Sequence, residues 1–559
     1  MKTHPESRTS LYSVGIDFGT ESVRVLIVDI RSGAIIGQAE DAYQHGVIDR
    51  ELPGGKVQLP PDYGLQHPQD WLDSSATACK KAMTIAGKTG EFSIEQIIGI
   101  GVDFTSCTML PATADGSPMC VNPKLASTPL AWPKLWRHHG AKAETDRINE
   151  IARDRNEPWL KRYGGTIGLE WFFPKVLETL NHAPAIYDAT QVWLEAGDWF
   201  VWQLVSGPFP NCKTGELVRS TCQAGYKAMW NRQTGFPSPE FFAAVHPKLK
   251  NVVAEKMPGT MRAPGQVAGH LTAAAAMLLG LPTGIPVSAA IIDAHAGVPG
   301  SGVPSPSTMV LVLGTSACHM MNSRTEQMVN GIAGVVEEGI LPGYFGYETG
   351  QASVGDAFAW VAKTTGLTHA QLNERAAKLP PGSGGVMAID WLNGCRTPLM
   401  DGRLSGAFLG LTLTTRPEQL YRAMLEATAF GLKSIVDTLE NGGVAVRRFV
   451  ASGGLPTKSP LMMQIYADVL DSKIKLAESD QSVALGAAIL GCIAAGEKVT
   501  GYAGISQAIH AMARVREDLV YRPDLQDRKK YSALYEIYQS LAVENGIVTG
   551  AMRRLREFT

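Results

Sequence analysis

In the stretch YSVGIDFGTESVRVLIVDI, Asp17 follows apolar residues on one side and a second apolar run returns after the turn, so it stands where a buried strand has no use for a charge. Taking a carboxylate out of water is costly unless a cation or hydrogen-bond donors meet it. Gly19-Thr20 follows at once. Beside such a turn the carboxylate suits Mg2+, bound directly or through a water of its shell. The plainer alternative is an acid that caps a neighbouring turn. Asp293 repeats the pattern in VSAAIIDAHAGVPGSG, at the end of an apolar strand, with Gly297 and Gly300 after it. An acid projecting from a strand end into a cleft can accept the proton of a substrate hydroxyl. His295 could share that role, but a histidine beside an apolar strand more commonly packs or hydrogen-bonds, so Asp293 ranks first.

Three backbone features could hold phosphate. Gly19-Thr20 and Gly314-Thr315 each join two strand-like runs. Successive N–H groups in a tight turn form a concavity for phosphate oxygens, and a threonine hydroxyl adds a donor. Glycine lets the backbone come close. Thr20 and Thr315 could therefore grip the two ends of a polyphosphate, although either turn alone reads equally as an ordinary hairpin. In VASGGLPTKSP, Ser452-Gly453-Gly454 stands between a strand and a helix, leaving room for a flat ring or a ribose, with helix N–H groups near its phosphates. Close helix–sheet packing would explain the same glycines. Two familiar phosphate motifs are excluded. The AGKTG stretch has Ala82 where a P-loop needs glycine, and no Gly-x-Gly-x-x-Gly opens a strand–helix–strand unit.

The elements that must carry these residues follow from periodicity. Alternation predicts strands at residues 13–18 and 23–29 and a further strand through IIGIGVDFTSCTMLPA, with DGSP as its turn. The pattern becomes helical and aromatic-rich from WPKLWRHHGAKAETDRINEIA onward. A second strand-rich block begins near Ile285, and long helices follow. One of them, in TRPEQLYRAMLEATAFGLKSIVDTLENGG, opens on a capping-box pattern, Thr415-x-x-Glu418, with Leu420, Met424, Ala427, Gly431, Ile435 and Leu439 along one face. Another starts with Ser459 as cap and Pro460 in the first turn. The tail KKYSALYEIYQSLAVENGIVTGAMRRLREF reads as one helical segment packed on the second domain. GIDFGTESVRVLIVD and LVLGTSACHMMNS are both strand, Gly-Thr, strand, about 300 residues apart, which suggests two related domains face to face.

Composition narrows the function classes. A chain of 559 residues exceeds one ordinary core. Its formal charge of -2 argues against nucleic acid or an anionic membrane as the main partner. The eight cysteines form no Cys-x-x-Cys pair, and the first ten residues hold no apolar signal core, so reduced thiols in a cytoplasmic protein are expected. LTAAAAMLLGLPTGIPVSAAII, the richest apolar patch, is cut by Gly-Leu-Pro and Gly-Ile-Pro into helix, turn and strand.

In their order and intervals, Asp17-Phe18-Gly19-Thr20, IIDAHAG, LGTSA, SGGLPTKSP and VALGAAILG resemble the FGGY carbohydrate kinases, over residues 12 to 496. GVDFTSCTMLPA, LWRHHGAKAE, YKAMW and YETGQASVGD are similar to the family members that phosphorylate L-ribulose. The resemblance implies an α/β fold of two ribonuclease-H-like domains, residues 11–284 and 285–559, with ATP and a sugar in the cleft between them. It implies that Asp293 is the base, that Asp17 holds Mg2+, that Thr20, Gly314 and Thr315 contact phosphate, and that Ser452, Gly453 and Gly454 lie by the nucleotide. It also implies that Ser106, Trp136, Lys227 and Glu348, with Asp293, line the sugar site. Lys and Glu are ordinarily surface charges and Trp ordinarily packs in a core, so those four roles rest on the likeness alone. Ser106 stands where a small apolar residue is expected, which bears on the choice of sugar. The activity implied is ATP-dependent conversion of L-ribulose to its 5-phosphate, as in L-arabinose breakdown, and the likeness allows a homodimer. The alternatives are a kinase for D-ribulose, xylulose, ribitol or glycerol, and an ATP-gated chaperone or filament subunit.

Overall fold

The structure is a computed structural model that describes residues 10–90 and 92–558. Its frame is a pair of mixed sheets built to one plan. Sheet I contains β1 (Tyr12–Phe18), β2 (Ser22–Asp29), β3 (Ile35–Ala42), β4 (Ile97–Phe104), β5 (Val267–His270), β6 (Pro286–Ser288) and β7 (Ile291–Ile292), in the order β3-β2-β1-β4-β6-β5, with β7 on β4. Sheet II contains β8 (Thr308–Leu313), β9 (Ala317–Ser323), β10 (Gly334–Glu337), β11 (Phe345–Gln351), β12 (Arg448–Ser452), β13 (Ile474–Ala477) and β14 (Val515–Tyr521), in the order β10-β11-β9-β8-β12-β13-β14. In each, an antiparallel hairpin carries a third antiparallel strand on one side and parallel strands on the other. The two Gly-Thr turns are the tips of the corresponding hairpins, β1–β2 and β8–β9. This repeated order is the ribonuclease-H-like α/β arrangement that the resemblance implied.

β1 and β4 are buried along their whole lengths, which is why they read as near-continuous apolar runs. Val14, Ile16 and Phe18 point to an outer core under the helix Pro68–Ala86. Gly15 points the other way, toward the space between the sheets. Two helices cross there: α2 (Asp293–Gly300), which follows β7, and α4 (Ser482–Ala494); α1 (Thr221–Lys227) adds Cys222 and Tyr226 to the core of this layer, and α3 (Pro417–Asn441) packs in the core on the far side of sheet II. A Cβ at Gly15 or Gly101 would sit 2.1 or 1.8 Å from carbonyl oxygens of α4, and one at Gly300 would sit 1.7 Å from the Ser482 oxygen. Side-chain-free backbone is therefore what lets α4 lie directly on sheet I and against α2. A middle core, with Leu26, Ile291, Ala296, Val310 and Ala488, fills this layer. A third core joins sheet II to α3 and to the tail.

Several local expectations shift. β6 and β7 both belong to sheet I, so the division expected between residues 284 and 285 falls, in the sheets, between Ile292 and Thr308. The strand expected through Thr105-Ser106 is two: β4 ends at Phe104, and Met109–Ala112 pairs instead with Val192–Glu195. α3 begins one residue later than its capping pattern, because Pro417 takes the first helical position. The reciprocal bond is then the Arg416 N–H donating to Gln419 Oε1 at 2.8 Å. Ser459 caps its helix as expected. The tail is two helices, α5 (Asp527–Leu541) and α6 (Ile547–Leu555), not one. All eight cysteines are free, and no single helix among the described residues is long and apolar enough to cross a membrane.

Candidate active site

The acids and turns occupy the carboxyl ends of parallel strands, where open α/β sheets keep their ligands. Asp17 is the last residue but one of β1. Its neighbour in register on β4 is Asp103, and Asp103 is in turn the partner of Ile291 on β7, two residues before Asp293. Three carboxyls thus share one end of sheet I. Sequence reasoning missed Asp103, although the signal existed: Gly15-Ile16-Asp17-Phe18 is echoed by Gly101-Val102-Asp103-Phe104. The echo is structural. The two glycines both admit α4, and the two phenylalanine rings stack with centroids 4.5 Å apart.

The electrostatics of this end are unusual. Burial pushes the Asp103 carboxyl well above the carboxylate range, and the charges of Asp17 and Asp293 add to the effect. Burial also raises Asp17, against the pull of Asp103 and of Arg24, whose Nη1 lies 3.5 Å from Asp17 Oδ2. Neither oxygen of Asp103 meets a donor among the described residues. Two adjacent buried carboxyls, one of them without a donor, fit a hard divalent cation such as Mg2+, which takes oxygen ligands. Asp293 opens α2, where its Oδ1 accepts from the Ala294 N–H at 2.6 Å. Burial, with the charges of Asp17 and Glu348, moves it up to about 7. A carboxylate poised there is matched to taking a proton at neutral pH.

Each hairpin tip is held from outside. The Thr20 carbonyl accepts from Gln66 Nε2 at 2.8 Å, and its hydroxyl accepts from Trp136 Nε1 at 3.1 Å, leaving the hydroxyl proton to donate. Trp136, 42% exposed, therefore stands at the first Gly-Thr turn. On the second tip, the N–H groups of Val354, Gly355 and Asp356 donate to the carbonyls of Gly314 and Thr315. Gly314 and Thr315 stay exposed. β12 runs parallel to β8 with Ser452 opposite Val312, which sets Gly453 beside the hairpin. Gly453 has φ +96, and a Cβ on it would meet the Leu313 oxygen at 2.5 Å. Gly454 faces open space. The second turn and the Gly-Gly turn are thus one surface.

Of the residues expected around a sugar, Lys227 and Glu348 meet from the two halves of the chain, whereas Trp136 bonds the Thr20 hairpin instead. Lys227, at the end of α1, donates to both oxygens of Glu348 on β11 at 2.9 Å. Both are buried, and in this structure each is the other's partner. Arg396 Nη2 donates to Glu348 Oε1 at 3.0 Å, and His295 Nε2 lies 3.5 Å from Oε2. Against the cost of burial, Lys227 and Arg396, joined by His295 only when it is protonated in acid, hold Glu348 down at about 2. Burial lowers His295 to about 4, so it stays neutral, with its ring 4.3 Å from that of Tyr226. Asp293 feels the charges of both Lys227 and Glu348. Ser106 follows β4 in the turn before Cys107, whose thiol feels Lys227. Arg396 is the second residue that sequence reasoning missed. It comes from a loop with no periodic signal.

The family models match nearly all of this frame: that of the N-terminal domain of the FGGY family of carbohydrate kinases matches residues 12–300, and that of the C-terminal domain residues 309–495. The chain is 46% identical to a ribulokinase of Shouchella clausii, over 95% of this chain and 94% of that one. It is 44% identical to a ribulokinase of Geobacillus thermodenitrificans with the same coverage. Among solved structures it is similar to the xylulose kinase of Rhodospirillum rubrum, with TM-score 0.76, 23% identity, and coverage of 95% and 98% of the two chains. With both domain models matched, and curated relatives at this identity over almost the full length, the chain belongs to the FGGY family of carbohydrate kinases and is a ribulokinase-like member of it.

Proposed function

We propose that the protein transfers the γ-phosphoryl group of ATP to a terminal hydroxyl of a pentulose, with L-ribulose the best substrate, giving the 5-phosphate and ADP. The observation that carries this reading is Asp293. It follows β7 directly, is moved up to about 7, chiefly by burial, and feels the charges of Asp17, Glu348 and Lys227. Phosphoryl transfer asks a protein chiefly for alignment and charge compensation.

The substrate hydroxyl oxygen forms the new bond to the γ-phosphorus, the bond from that phosphorus to the β–γ bridging oxygen breaks, and Asp293 takes the hydroxyl proton. Lys227 and Glu348, one a donor and one an acceptor, are chemically matched to a polyhydroxylated chain. Thr20 on one hairpin, and Gly314 with Thr315 on the other, donate to the polyphosphate, while Ser452, Gly453 and Gly454 border the nucleoside. Asp17, with Asp103 beside it, would hold Mg2+, which supplies positive charge against the β- and γ-phosphates. The relatives named ribulokinase support the sugar class. Ser106, a departure from the expected small apolar residue, is where preference among pentuloses is read.

A coupled assay of ADP formation over L-ribulose, D-ribulose, xylulose, ribitol and glycerol tests the proposal. L-Ribulose should give the highest kcat/KM. ADP formation that no polyol accelerates would overturn it and return the reading to an ATP-gated binding protein.

A further inference from the structure

Glu348 faces one more cation than a donor–acceptor pair for a sugar requires. Lys227 reaches it from the first half of the chain, with 2.9 Å to each oxygen. Arg396 reaches it from the second half, from the loop after the strand Met387–Ile389, at 3.0 Å from Nη2. The place of the guanidinium is built. Its Nη1 lies 3.8 Å from Sγ of Cys318 on β9. It also lies over Gly350, two residues beyond Glu348 and so on the same face of β11, where a Cβ would come within 3.2 Å of Nη1. The same Cβ would meet the Ala317 oxygen of β9 at 2.5 Å, so glycine at 350 leaves room for both that strand and the guanidinium. Glu170, whose charge both cations feel, keeps the group of four near neutrality.

Binding a sugar here poses a conflict. Two of the three N–H donors of Lys227 go to Glu348, so each hydrogen bond that Lys227 gives a substrate hydroxyl divides its charge between the sugar and the carboxylate. A buried carboxylate left without a cation is strongly disfavoured. It would take up a proton and become a poorer acceptor for the next hydroxyl. His295 cannot meet the charge, because it is neutral. Arginine suits the task. Its planar fork stays protonated when buried and holds a carboxylate in a fixed direction.

We propose that Arg396 is a positioning residue for the sugar: it keeps Glu348 ionised and aimed while Lys227 turns to the substrate. This rests on the reading of the Lys227–Glu348 pair as the sugar site of a kinase. Arg396 itself acts through Glu348, so its loss falls on sugar affinity and spares the reacting end at Asp293.

The test compares Arg396→Met and Arg396→Lys with the wild type, varying L-ribulose and ATP separately. In Arg396→Met the KM for L-ribulose should rise about tenfold to a hundredfold, the scale of one charge-assisted hydrogen bond. The kcat should stay within about threefold and the KM for ATP should not move, the pattern of lost sugar binding and not of lost chemistry. Arg396→Lys should recover part of the sugar affinity, which a merely structural role would not require. A sugar KM within about twofold of wild type in both variants, or equal rises for sugar and ATP, would overturn the inference. If another polyol of the panel proves the better substrate, the comparison is read with that polyol. A wild type inactive on every polyol would remove the kinase reading and this inference together, whereas an active wild type with unaltered variants removes this inference alone.

Discussion

At the scale of single residues, the account turns on acids that burial has made unlike ordinary carboxylates. Asp293 is displaced upward to about 7, so it binds its proton below that pH and is an ionised base only above it. The polyol-dependent kcat/KM of the free enzyme should therefore climb as pH rises through about 7 and level off beyond it, as expected for an essential base. An initial-rate series across that range checks this, and a profile flat from about pH 6 to 8.5 would exclude Asp293 as the proton acceptor. How far these residues were legible depended on what surrounds them. Asp17 and Asp293 stood out because a charge interrupts an apolar strand. Asp103 carried the same mark, in an echoed tetrapeptide, but its meaning came only from the parallel register that sets it opposite Asp17. Arg396 had no mark at all. Its partner is 48 residues away in sequence and is met through a loop.

At the scale of elements, the crossing of α2 and α4 decides whether the acids meet. α2 starts with Asp293 and α4 begins where Ser482 shares a hydrogen bond with Ser452, so the two helices tie the base on one sheet to the Gly-Gly turn on the other. Their approach depends on backbone meeting backbone. A Cβ at Gly486 would lie 1.8 Å from the Ala296 oxygen, in an interior with no room to yield. Gly486→Val should destabilise the protein by about 3 kcal/mol or more, at the upper end of overpacking effects. Urea unfolding measures this, and a change under about 0.5 kcal/mol would mean that the crossing relaxes freely. Local sequence signals located most elements and misjudged their ends for identifiable reasons. Pro417 moved a helix start by one residue. A single apolar run through Thr105 hid a break, because the chain leaves sheet I there for a separate two-stranded pairing with Val192–Glu195.

At the scale of the whole molecule, the two distant Gly-Thr hairpins are equivalent parts of two sheets with one strand order. The duplication was legible as a short repeat, because a hairpin of that kind fixes both the turn residues and the flanking apolar runs. The division between the halves was not. β6 and β7 are short, and their apolar stretch after Ile285 looks like the start of a new unit, yet hydrogen bonding to β4 places both in sheet I. Nor could periodicity show that α4, late in the chain, lies on the first sheet. Beyond the crossing helices, ion pairs also join the halves: the buried Lys227 with Glu348, the half-buried Arg162 with Glu326 at 3.1 Å, and the exposed Arg232 with Glu338. On the proposed reading Lys227 and Glu348 are both sugar residues and part of this seam, so substrate recognition and the joining of the halves would use the same side chains.

The most direct test of the central claim is the Asp293→Asn variant, with pentulose-dependent ADP release and nucleotide affinity measured on the same preparation. Removing a positioned base while preserving its shape should cut kcat by about a hundredfold to ten-thousandfold. The Kd for ATP should stay within about threefold of the wild type, since the hairpins and the Gly-Gly turn are untouched. A variant that turns over pentulose at close to the wild-type rate would contradict the account.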